Sequence, residues 1–167
     1  MTEINTALAA SRDAVDQLIR AGEQSGATWT APRAPGKWSP SQVVEHVAGG
    51  LDEAANMAAG RPTKVPRLPA VVRPIARLIF RRVLRKAAFP NGFKAHKALN
   101  PASGPATPAE GRIRLETAHQ KFEEVCRRIA TEDRPMTTIF GSVPVQDVVR
   151  FTELHTRHHI KQMAARQ

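Results

Sequence analysis

The sequence predicts an all-α protein: a bundle of four long helices, with an extra basic helix inserted between the second and third. Three observations carry this expectation. Apolar residues recur at three- and four-residue intervals in four separate segments. No stretch shows a convincing strand alternation of period two. Ser, Thr and Pro stand where helices should start, and Gly and Pro where they should stop.

The first helix is expected over Thr2 to Ala21, where Ile4, Leu8, Val15, Leu18 and Ile19 form an apolar stripe and Gly22 is a plausible stop. Gly26 to Pro40 reads as a loop containing Trp29. The second helix runs from Pro40 to about Ala59. Ser39 suits its N-cap, Pro40 its first position, and Gln42 completes a Ser-x-x-Gln capping box. Gly49-Gly50 weakens the signal midway, and Gly60 to Pro69 is a proline-rich connection. Ala70 to Ala88 reads as the basic helix, with Arg73, Arg77, Arg81 and Arg85 four apart and Ile75, Leu78, Ile79 and Val83 expected inward. Phe89 to Pro108 is loop. The third bundle helix spans Pro108 to Thr131, with Thr107 as N-cap and Glu110 three residues on. Its core side is expected from Ile113, Leu115, Ala118, Phe122, Val125, Cys126 and Ile129. Glu132 to Val143 reads as loop, and the last helix runs from Pro144 to about Ala165. Four amphipathic helices in one small domain pack most simply as an antiparallel bundle, which can hold a metal between facing helices.

Composition narrows the function. A chain of 167 residues, 41% hydrophobic, is expected to form one globular domain over 1–167. A single cysteine, Cys126, cannot form an internal disulfide, which fits a reducing cytoplasm. No apolar run approaches the roughly 20 residues of a membrane span. The first residues lack the basic-then-apolar pattern of a signal peptide, so none is expected. The net charge of +10 invites a nucleic-acid reading. However, the basic excess is concentrated between Arg67 and Lys94, without interleaved aromatics or a nucleic-acid motif, so specific binding is not expected.

The chemistry-bearing feature is a histidine cluster near the C-terminus: Phe151-Thr-Glu-Leu-His155-Thr-Arg-His158-His159-Ile-Lys-Gln-Met163. Residues three and four apart share a helix face, so His155 can pair with His158 or with His159, and spacing alone does not choose. Two imidazoles aimed at one point are a common way to hold a transition metal. His96 and His119 have no partner at ligand spacing and are expected at the surface. Trp38 reads as a core anchor or a pocket wall, and Cys126 as a packed core residue.

The second informative stretch is Trp38-Ser39-Pro40-Ser41-Gln42-Val43-Val44-Glu45-His46-Val47. A Trp-Ser pair opening a helix, with a histidine eight residues after the Trp, and a late His155-x-x-x-His159 followed by Gln162 resemble the DinB/YfiT-like superfamily. Arg77-Leu-Ile-Phe-Arg-Arg and Ile139-Phe-Gly-Ser-Val-Pro resemble a branch of it whose function is unknown. The resemblance implies an up-down four-helix bundle and a divalent metal, nickel or zinc, with His46, His155 and His159 as ligands. It selects His159 over His158, leaving His158 beside the site. Many members carry Glu where this chain has Gln42, and Gln cannot act as a general base. Gln42 could still orient His46 or hold a substrate, and Gln42 and His158 are expected to contact a bound cofactor beside the metal.

Three neutral imidazoles leave coordination positions open, as catalytic rather than structural sites do. Related families include transferases and isomerases using low-molecular-weight thiols such as mycothiol or bacillithiol. The expected function is thus metal-dependent thiol transfer or hydrolysis on a small molecule in the cytoplasm, with a homodimer compatible. Two other readings stand beside it: a non-enzymatic metal-binding or stress-response module, and a basic polyanion or membrane-surface binder.

Overall fold

The computed structural model describes residues 2–66, 68–89 and 96–163. Within them the chain forms α1 (Thr2–Gln24), α2 (Pro40–Ala58), α3 (Arg73–Lys86), α4 (Pro108–Thr131) and α5 (Val145–Met163). A two-stranded antiparallel hairpin, β1 (Met136–Thr138) and β2 (Gly141–Val143), precedes α5. No helix among the described residues is long and apolar enough to cross a membrane.

The helix starts follow their local chemistry. At α2, Ser39 Oγ accepts from the Gln42 amide at 3.2 Å and the Ser39 amide donates to Gln42 Oε1 at 3.0 Å, so two free amides are satisfied reciprocally. At α4, Thr107 Oγ1 accepts from the Glu110 amide. α1 packs on α5 and α4, α2 packs on α4 and α5, and α3 lies on α5. The core between them holds Leu8, Val15 and Leu18 from α1, Val44 and Val47 from α2, Leu115, Phe122 and Ile129 from α4, and Val149 from α5. Each such side chain contributes about 1.5–3 kcal/mol when fully buried.

Five expectations need correction. α1 does not stop at Gly22 but continues to Gln24. Gly22 instead makes room for Trp29: a Cβ there would lie 3.0 Å from the indole, and one at Gly111 of α4 only 2.7 Å from it. The buried Trp29 ring is thus received by two helices at their glycines. Ile113, expected in the core, is 63% exposed, since it sits about 200° around α4 from the buried Leu115. His119, expected at the surface, is fully buried, one turn after Leu115, with Nε2 3.2 Å from Ser11 Oγ. In α3 the buried residues are Phe80 and Val83, while Ile75 and Leu78 face out. Phe80 is drawn inward by Phe140 and Phe151, at ring distances of 4.9 and 5.0 Å. Finally, residues 132–143 are not all loop. The hairpin turns at Gly141, whose φ is +93°, and Thr138 Oγ1 accepts from the Phe140 amide. Its three-residue strands are too short for an alternating pattern to be seen in sequence.

Candidate metal centre

His46 sits in the second turn of α2, one turn after Gln42 of the capping box. His155 and His159 lie one turn apart on α5. The three rings converge. His155 Nε2 stands 3.2 Å from His46 Nε2 and 3.1 Å from His159 Nε2, and one ligand atom from each ring falls within 4.8 Å of the others. Three nitrogens about 2.0–2.1 Å from one ion would stand about 2.9–3.3 Å apart, for right-angled to tetrahedral bonds. The two pairs that include His155 fit; the widest separation, within 4.8 Å, would have to tighten below about 4.2 Å for one ion to join all three.

Protons point the same way. The Leu99 carbonyl can only accept, so His46 Nδ1, 2.8 Å away, carries the hydrogen and Nε2 presents its lone pair. Gln162 Oε1 accepts from His159 Nδ1 at 2.9 Å, with the same result. Two lone pairs are thus directed at His155 Nε2, which can donate to one of them at most. A cation satisfies this donor set where a hydrogen cannot. Burial, reinforced by the neighbouring histidines, holds the His155 pKa well below its ordinary value of 6.5. Burial first, and His46 next, holds that of His159 at about 3. Burial also lowers that of His46, against the Leu99 contact that raises it. The rings stay neutral, the form that binds metal.

The three histidines lie in a fold and a sequence pattern shared with other chains. A protein-family model described as the DinB superfamily matches residues 3–163. The chain belongs to the DinB superfamily. It matches no curated protein and no solved structure.

In this DinB superfamily chain the other expected site residues fall around the triad rather than in it. His158 is half-buried, and its Nε2 accepts from Gln162 Nε2 at 3.0 Å. Gln162 therefore links His158 to His159. Gln42 spends its oxygen on the Ser39 amide and its NH2 group on the carbonyls of Pro101 and Ala102, at 3.2 and 3.3 Å. It pins the 96–105 segment, which carries Leu99, against the start of α2. Trp38 walls the site, 4.7 Å from the His46 ring and 6.1 Å from that of His159. Phe89 closes another side, 5.4 Å from His155 and 5.7 Å from His158. A cleft lined by these rings, His96, Phe151 and Thr152 opens beside the triad. The carboxylates nearest in sequence are committed elsewhere, Glu45 to Arg114 at 3.0 Å and the buried Glu153 to Arg150 and Arg157. Sequence reasoning did not find the Leu99 carbonyl or Phe89. A backbone acceptor 53 residues from its partner leaves no residue-type signal.

Proposed function

We propose that this protein is a metal-dependent enzyme acting on a small molecule, with a divalent ion, nickel or zinc, held by His46, His155 and His159. The observation that carries the reading is the convergence of three imidazoles, each with one ligand atom within 4.8 Å of the others, beside an open cleft. A bound divalent ion supplies Lewis acidity to an oxygen or sulfur atom of the reacting partner. The protein's own groups supply the rest. Leu99 O and Gln162 orient the rings. Trp38 and Phe89 wall the site on two sides. His158 stands at the border of the site, where it can contact a bound thiol or substrate, while Gln42 acts through the 96–105 segment that it pins.

Thiol transfer is favoured over hydrolysis. Glu45 and Glu153 are held in ion pairs, and a glutamine stands where a carboxylate base would serve. A thiol, with an ordinary pKa of about 8.5, needs less help to ionise than water does. The reading includes a single cytoplasmic domain in which α1, α2, α4 and α5 form the up-down bundle and α3 is the insertion. It is tested by metal analysis of tag-free protein, followed by a screen of low-molecular-weight thiols with electrophilic small molecules. Near-stoichiometric nickel or zinc and a thiol-dependent turnover lost in His159→Ala would support it. Protein that takes up neither ion at micromolar concentration would overturn it.

A further inference from the structure

The net positive charge of this chain is concentrated in one region. Between residues 54 and 109 there are eleven Lys and Arg and no Asp or Glu, leaving fourteen basic and fifteen acidic residues elsewhere. The net charge of +10 is therefore carried by the connection from α2 to α4, and α3 is its central ordered element.

α3 also carries the main exposed apolar patch among the described residues. Val71 is 84% exposed, Ile75 61% and Leu78 68%. They fall at i, i+4 and i+7, so they line one side of the helix and the turn before it. Phe80 and Val83 anchor the opposite side on α5, which fixes the outward direction of the stripe. Arg82, Arg85 and Lys86 follow on the outer side, exposed, with no ion pair among the described residues. The outer face is thus aliphatic at its N-terminal end and cationic at its C-terminal end.

We propose that this face docks the protein on an anionic lipid bilayer, with Val71, Ile75 and Leu78 entering the headgroup boundary and Arg82, Arg85 and Lys86 meeting lipid phosphates. Charge and apolarity together select this partner. A nucleic acid would pair with the arginines but offers nothing to three exposed aliphatic side chains. A second copy of the chain would bury the aliphatics but set two like-charged regions against each other. A bilayer surface answers both features. The inference is independent of the metal centre, since none of these residues touches the triad.

The test is flotation of the full-length protein with vesicles of equal parts phosphatidylcholine and phosphatidylglycerol, against vesicles of phosphatidylcholine alone. Binding is expected only to the anionic vesicles. Because the side chains are exposed, I75S/L78S should keep the wild-type circular dichroism and melting curve, yet bind about tenfold or more weakly at unchanged charge. R82Q/R85Q should lose about fivefold per arginine. Binding to anionic vesicles undiminished in I75S/L78S would overturn the proposal and leave a general polyanion surface. Duplex DNA bound as tightly as the vesicles, in both wild type and I75S/L78S, would do the same. A dimer in light scattering that dissociates in I75S/L78S would reassign the face to self-association, and no vesicle binding at low salt would end the proposal outright.

Discussion

At the residue scale, the histidines are not equivalent, and the differences are measurable. His159 Nε2 faces the triad, whereas His158 meets Gln162 at its border. Removing a direct ligand deletes a coordinate bond, while an outer partner typically costs about 10–100-fold in affinity. His159→Ala should therefore abolish metal retention through dialysis, and His158→Ala should weaken it within that range. Elemental analysis of the two dialysed variants decides the point, and equal loss would reverse the assignment. The pH response follows from burial. All three folded pKa values lie below the ordinary 6.5. Below that value the unfolded chain binds more protons than the folded one, so the metal-free protein loses stability as pH falls from 6.5 downward. Above it this contribution is complete. Protons should likewise compete with metal only below the range in which an exposed histidine peptide weakens, which begins at about pH 6.5. Calorimetric titration across that range checks the sign. An affinity that falls around pH 6.5, as that of the exposed peptide does, would mean the rings are solvated.

At the element scale, the start of α2 and the 96–105 segment act as a unit. Ser41 Oγ and Trp29 Nε1 both donate to Pro105 O, Gln42 holds Pro101 and Ala102, and Leu99 O orients His46. Gly104 permits this contact, because a Cβ there would lie 2.2 Å from Ser41 O. Gly104→Ala should cost about 1–3 kcal/mol through the forced shift and lower metal affinity about tenfold or more by displacing Leu99. Gly49→Ala is the control. Beyond its own helix backbone nothing lies within 4 Å of its added Cβ, so it should be neutral or stabilise by up to about 1 kcal/mol. Thermal melts and metal titrations of both variants test the pair, and a silent Gly104→Ala would show that the segment does not set the site. These elements also show what was legible. α4 begins and ends where Thr107, Pro108 and the apolar period place it, and the Ser39 box marks α2 to the residue. The grouping of the three histidines was readable because His155 and His159 share one helix face and His46 follows a family motif. Leu99 was not, since its role rests on a carbonyl, which every residue possesses. The outward turn of Ile75 and Leu78 was not either. Helical period groups residues onto faces, but Phe140 and Phe151, distant in sequence, decide which face of α3 is buried.

At the scale of the whole molecule, the core and the histidine triad are physically separable, and this predicts what chelation does. The largest fully buried side chains, among them Phe122, Leu18, Leu115, Ile129 and Met136, belong to contacts among the helices and β1 that do not pass through the triad. A zinc finger has no such independent core and unfolds without its ion. Here an ion would bind an already folded state and stabilise it by mass action, about 2.7 kcal/mol at a hundredfold excess over Kd. For a chain of this size that corresponds to about 5–10 °C in Tm. Chelation of metal-loaded protein should therefore lower Tm by that amount and leave the helical circular-dichroism signal at 25 °C unchanged. His159→Ala should melt near the chelated wild type and show no further shift with chelator. Collapse of helicity at 25 °C on chelation would mean that the ion holds α2 against α5 as a structural element. The site would then be a closed staple rather than an open centre, and the enzymatic reading would lose its physical basis.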